Sequence, residues 1–112
     1  MSDTTPQAVQ ACHGLLLWLI PHLDKFPRLR RFTLGERLEA RLLDVLQHLL
    51  RAAYTRDKRV GLSAANLDLE ICKHLWRLAY ELKVIPLRRY EFGARLMDDL
   101  GRQVGGWLKA SA

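Results

Sequence analysis

Lys73 and Arg77 stand four residues apart in a stretch that is otherwise mostly apolar, a spacing that puts both cations on one face of a helix, one turn apart. Two cations so placed can hold phosphates of a polyanion, the arginine as a bidentate fork and the lysine as a point charge. The same spacing lets Glu70 and Glu81 neutralise them on their own helix, and the residues alone leave both readings open. Arg28, Arg30, Arg31, Arg88 and Arg89 fall at expected loops and helix starts, while Arg37 and Arg41 fall on a solvated stripe between them. They read either as further phosphate contacts or as a hydrated rim. The formal charge is +6 and thirteen of the eighteen basic residues are arginine, which makes an anionic polymer the partner class to weigh first, with plain solubility as the alternative.

Other chemistries find no support. A di-metal carboxylate bundle needs a Glu with a His three residues on, which never occurs; Glu70 with His74 and Asp44 with His48 are four apart, the spacing of surface helix pairs. None of the three serines lies in a G-x-S-x-G elbow, and GRQVGGW is neither a P-loop nor a dinucleotide fingerprint. Cys12 and Cys72 belong to no C-x-x-C pair and read as small buried apolar residues of a reducing, cytoplasmic compartment. The longest apolar run, Leu15 to Ile20, is far short of the ~20 residues that cross a bilayer. We therefore expect no catalytic residue, metal, cofactor or membrane partner. Zinc-finger, basic-zipper and RNP signatures are also missing, so any nucleic acid should be held through phosphates rather than read at base edges.

Four helices, at about 6–24, 34–54, 60–84 and 87–109, must position these residues, in one domain spanning 1–112. Thr5 and Pro6 predict the first start, with threonine as N-cap, and Pro21 predicts a kink or an end before Phe26-Pro27 closes the helix. PRLRRF reads as a basic connection. Thr33-Leu34-Gly35-Glu36 then reads as a capping box, the clearest local signal in the chain. The second helix should bury Leu38, Leu42, Val45, Leu46, Leu49 and Ala53, leaving Arg37, Arg41, Asp44, His48 and Arg51 to water. The third carries two apolar faces, Ile71, Leu75, Leu78 and Leu82 on one and Ala65, Leu69, Cys72, Trp76 and Ala79 on the other. Short connections make the whole an all-α, antiparallel up-down-up-down four-helix bundle, and the doubly apolar third helix points to oligomerisation.

The fourth helix repeats Tyr90, Met97 and Val104 every seven residues, with Gly93, Leu100 and Trp107 in step, as an a/d seam. Gly101, Gly105 and Gly106 lie within it at ~1 kcal/mol each against alanine, a cost that close helix packing, within the chain or between copies, would offset.

FPRLRRFTLGERLE, ANLDLEICKHLWRLAYELK and GRQVGGWLK together resemble the four-helix-bundle accessory proteins of bacterial diversity-generating retroelements, the accessory variability determinants. That family is similar in turn to proteins encoded in intervening sequences of ribosomal RNA genes. The resemblance spans roughly Leu15 to Lys109. It implies a homopentameric, strongly basic barrel that partners the element's reverse transcriptase and template RNA, and it places the family's functional basic pair on Lys73 and Arg77, lysine standing where the family has arginine. The competing expectation is a bundle oligomer with a purely protein partner and no retroelement role.

Overall fold

A computed structural model describes residues 5–111; residues 1–4 and 112 of the expected domain lie outside the described residues. Helix α1 is Gln7–Leu23. Residues 28–54 form one continuous helix, α2, in three pieces: Arg28–Arg30, a π-helical turn Arg31–Gly35, and Glu36–Tyr54. Helix α3 is Arg59–Glu81 and α4 is Leu87–Ala110, with no β-strand among the described residues. Successive helices reverse direction. Gly61, early in α3, lies against the carbonyl of His48 and the side chain of Ala52, late in α2, and Trp76, late in α3, donates its indole N–H to the carbonyl of Tyr90, early in α4. Because α1 packs on both α2 and α4, the ring closes into the expected four-helix bundle, 42 × 24 × 21 Å.

The core runs along the bundle axis through Cys12, Leu19, Leu38, Leu42, Val45, Leu49, Leu62, Leu69, Cys72, Trp76, Met97, Leu100 and Val104, all removed from solvent. Each large apolar side chain so buried contributes ~1.5–3 kcal/mol against exposure, more than the weak propensity terms that favour each helix separately. Both cysteines are free and buried as expected, and burial pushes each thiol up to about 12, so neither is a thiolate near neutral pH.

Several local expectations are corrected. Thr5 caps nothing; Pro6 is the N-cap residue, its carbonyl accepting from the amides of Val9 and Gln10. Of the kink or end expected at Pro21, the end does not occur: helix α1 passes through Pro21 and ends at Leu23. Pro21 and Leu17 are both exposed, so the hydrogen bond that proline removes is lost on the solvent side. The capping box does not form. PRLRRF is already helical from Arg28, with the carbonyl of Pro27 accepting from Arg30 and Arg31 at 2.8 Å, and the Thr33 hydroxyl donates back to the carbonyl of Leu29 at 3.0 Å. A threonine inside a helix has no free amide ahead of it to cap and bonds the preceding turn instead. Ala52 rather than Ala53 is fully buried in α2, and Leu46 is only partly covered.

Helix α3 ends at Glu81, three residues earlier than expected, because Lys83 turns left-handed at φ 64°. The amides of Lys83 and Val84 then reach the carbonyls of Tyr80 and Ala79, each at 2.9 Å, the two bonds of a Schellman ending with lysine where glycine is usual. The turn 55–58 is held by Lys58, whose ammonium donates to the carbonyls of Ala52 at 2.8 Å and Thr55 at 2.9 Å.

Candidate nucleic-acid and partner interface

The reversal of direction brings the end of α1, the start of α2, the end of α3 and the start of α4 to one end of the bundle. Nine cations were expected to serve binding, and their surroundings separate them into two groups. Lys73 has its ammonium 3.1 Å from Glu70 and 3.3 Å from Asp98 across the seam on α4, and its side chain is 27% exposed. Arg77 pairs with Glu81 at 2.9 Å, and that hydrogen bond and charge hold the guanidinium above its ordinary pKa. Arg31 pairs with Asp24 at 3.0 Å and Arg41 with Asp68 at 3.1 Å. Among the described residues, Arg28, Arg30, Arg37, Arg88 and Arg89 have no carboxylate within ion-pair distance. Arg28, Arg30, Arg88 and Arg89 belong to the starts of α2 and α4, at the same end, with Arg37 more than two turns further along α2; Arg51, Arg56 and Arg95, elsewhere on the bundle, likewise meet no carboxylate among the described residues.

Arg41 and His48 therefore leave the solvated stripe on which they were expected. Their partner is Asp68, 8% exposed, which accepts from Arg41 on one carboxylate oxygen and lies 3.1 Å from His48 Nε2 on the other. Sequence reasoning missed Asp68. Its signal is register: it follows Ala65 by three and precedes Cys72 by four, which puts a carboxylate on the buried side of α3, where a cation from another helix must meet it.

The glycines of α4 also divide, and the tightest, Gly93, was expected only as a seam position and not among the packing residues Gly101, Gly105, Gly106 and Trp107. A Cβ at Gly93 would stand 2.6 Å from the Nε1 of Trp76, so this glycine admits the indole into the α3/α4 seam. Gly101 faces the same seam, where the ammonium of Lys73 lies 3.1 Å from the position of its missing Cβ. Lys73 and Gly101, expected in different roles, are thus one contact. Among the described residues Gly105 and Gly106 meet nothing within 4 Å, which corrects the expectation of close packing between them and the described helices, and Trp107 is half-buried near Pro6, Ala8 and Ala53.

Of the two apolar faces of α3, Ala65, Leu69, Cys72, Trp76 and Ala79 are buried, whereas Leu78 and Leu82 are 38% and 44% exposed. Together with Phe32 and Leu34 on the π-helical turn they line an open groove flanked by Arg30 and Arg37. On the other side of the same end, Trp18 gathers His22, Phe92 and Trp76 around it, and Tyr80 stacks on Tyr90 with ring centroids 4.9 Å apart. Among the described residues no three His, Cys, Asp or Glu side chains come together as a metal site, and no helix is long and apolar enough to cross a membrane.

The chain is thus an all-α bundle that carries Arg28, Arg30, Arg88 and Arg89 on two helix starts at one end, beside exposed apolar and aromatic side chains. A family model described as bAvd-like matches residues 8–111, and the chain belongs to that family, in agreement with the resemblance of its motifs to the accessory variability determinants. No curated protein matches the chain.

Proposed function

We propose that the chain is a non-enzymatic accessory subunit of a diversity-generating retroelement, which assembles as a homopentamer, binds template RNA or its cDNA through phosphates and associates with the element's reverse transcriptase. The observation that carries this reading is the pair of arginine-bearing helix starts at one end of the bundle. The first turns of α2 and α4 contain no acidic residue and hold Arg28, Arg30, Arg88 and Arg89 instead. Cations there oppose the helix dipole, at ~0.3–1 kcal/mol each on exposed helices, and a bound anion would remove that conflict. Two helix starts loaded this way at one end suit an external polyanion better than the fold's own stability. Arg77 adds to the set because its exposed pair with Glu81 is easily exchanged for a phosphate, whereas Lys73, tied to Glu70 on its own helix and to Asp98 across the seam, contributes more to holding α3 against α4.

The groove of Phe32, Leu34, Leu78 and Leu82 supports self-assembly, since burial against a second copy would remove exposed apolar surface from water at ~25 cal/mol per Å². A cyclic pentamer multiplies the +6 charge of each chain fivefold around one ligand. Light scattering tests the assembly, and a well-folded monomer at micromolar concentration would overturn it.

A salt titration tests the binding. Affinity for an RNA or DNA duplex should fall with salt by about 0.9 in log K per decade for each phosphate neutralised, and Arg88→Ala with Arg89→Ala should flatten that slope by about two such contacts. Lys73→Ala with Arg77→Ala should flatten it less and leave helicity intact, because alanine is the better helix former. A wild type whose binding to nucleic acid shows no salt dependence would remove the phosphate reading and leave the alternative, a bundle oligomer with a purely protein partner seated in the apolar groove.

A further inference from the structure

The aromatic cluster beside the arginine end has a composition that core packing does not require. Trp76 is fully buried, Trp18 half-buried with its ring centroid 5.9 Å from that of Trp76, and Phe92 lies 5.0 Å from Trp18 and is 44% exposed. The three rings form a graded row from the core to the surface, ending on a phenyl in contact with water. A single exposed phenylalanine is ordinary. Here, however, His22 completes the row at 4.4 Å from Trp18, and its Nδ1 is cut off from solvent with no hydrogen-bond partner among the described residues, a cost that an apolar ring in its place would avoid. Removal from water first, and then the charges of Arg89 and Lys25, lower the pKa of that imidazole and keep it neutral at neutral pH. Arg89 stands one turn before Phe92 on α4 and Lys25 three residues after His22, just past the end of α1, and among the described residues neither meets a carboxylate within ion-pair distance.

Planar, uncharged rings flanked by free cations suit a ligand with flat faces on an anionic backbone. A duplex presents the anionic backbone but hides its base faces in the stack, whereas a single strand offers both. We infer that the Trp18–Phe92 face is a stacking platform for an unpaired base of a single-stranded nucleic acid, with Arg89 and Lys25 on the adjoining phosphates. The inference rests on the nucleic-acid reading above and narrows it: the preferred ligand is unpaired rather than double-stranded, and the preference comes from rings rather than from charge.

The test compares a short oligouridine with an RNA duplex of the same length, each titrated across salt. Phe92→Leu keeps apolar bulk against Trp18 and deletes the π face. It should weaken binding of the single strand by about tenfold, within the range of one lost base-aromatic stack, without changing its salt slope, and leave the duplex within about twofold. Phe92→Tyr should restore single-strand binding, and Arg89→Ala should lower the single-strand slope by about 0.7. Circular dichroism of each variant confirms the fold. An unchanged single-strand affinity in Phe92→Leu, or an equal loss on both ligands, would overturn the platform while leaving phosphate binding by Arg88 and Arg89 in place. A wild type that bound neither ligand would overturn both.

Discussion

In the first half of α4 the backbone at Gly93 lies so close to the neighbouring helix that the indole of Trp76 occupies the space a Cβ would need; toward the other end of the same helix, Gly105 and Gly106 have nothing within 4 Å among the described residues. All of these glycines carry the same cost in helix propensity, but the sequence marks Gly93 only as a seam position and Gly105 and Gly106 as the candidates for close contact. What separates them is the residue opposite. Trp76 is the largest side chain in the core, and it must reach the Tyr90 carbonyl to satisfy its N–H, so α4 has to yield space exactly one turn along from that acceptor's residue, at Gly93. No comparable side chain projects from α1 or α3 toward Gly105. A glycine in a helix therefore records a contact only when a neighbouring helix supplies something too large to fit otherwise.

Substitutions along α4 test that contrast, the largest effect first. Gly93→Ala should destabilise by about 1–3 kcal/mol through overpacking, outweighing the ~1 kcal/mol gained in propensity, because a rigid buried indole cannot step aside as a flexible chain can. Thermal unfolding reads it, with about 4–8 °C in Tm per kcal/mol for a domain of this size. Gly105→Ala should act in the opposite direction, stabilising by ~1 kcal/mol, since a methyl there meets only open space. A loss at this position would mean that a second copy covers this end of α4, and light scattering on the same variant would show it as reduced mass. Gly101→Ala should fall between them, a gain smaller than at Gly105, because the new methyl meets the movable end of Lys73 rather than a ring or a backbone. If Gly93→Ala and Gly105→Ala shifted Tm equally, the contrast between the two halves of α4 would be lost.

The cations repeat the pattern of the glycines. Their number and placement along the chain were legible, and so was the local half of their pairing, Lys73 with Glu70 and Arg77 with Glu81, because helical spacing alone brings those side chains together. Asp98 on Lys73 and Asp68 on Arg41 come from other helices, and no local spacing reveals them. The capping box failed for the complementary reason. Thr33 and Glu36 match the pattern, but the chain is helical from Arg28, and a motif read over four residues does not register that the helix has already begun.

The sequence by itself determined the number of helices, their reversals and most of the buried set, because apolar residues recurring every three to four positions and prolines at the breaks are local properties that each stretch carries with it. It also determined that the chain would be basic and rich in arginine. Tertiary structure alone decided which of those charges are neutralised, which glycines are filled, and that Trp18, His22 and Phe92 meet beside Arg89 at the end where α2 and α4 begin. Each of these depends on distances between side chains far apart in the chain, set only once four helices share one core.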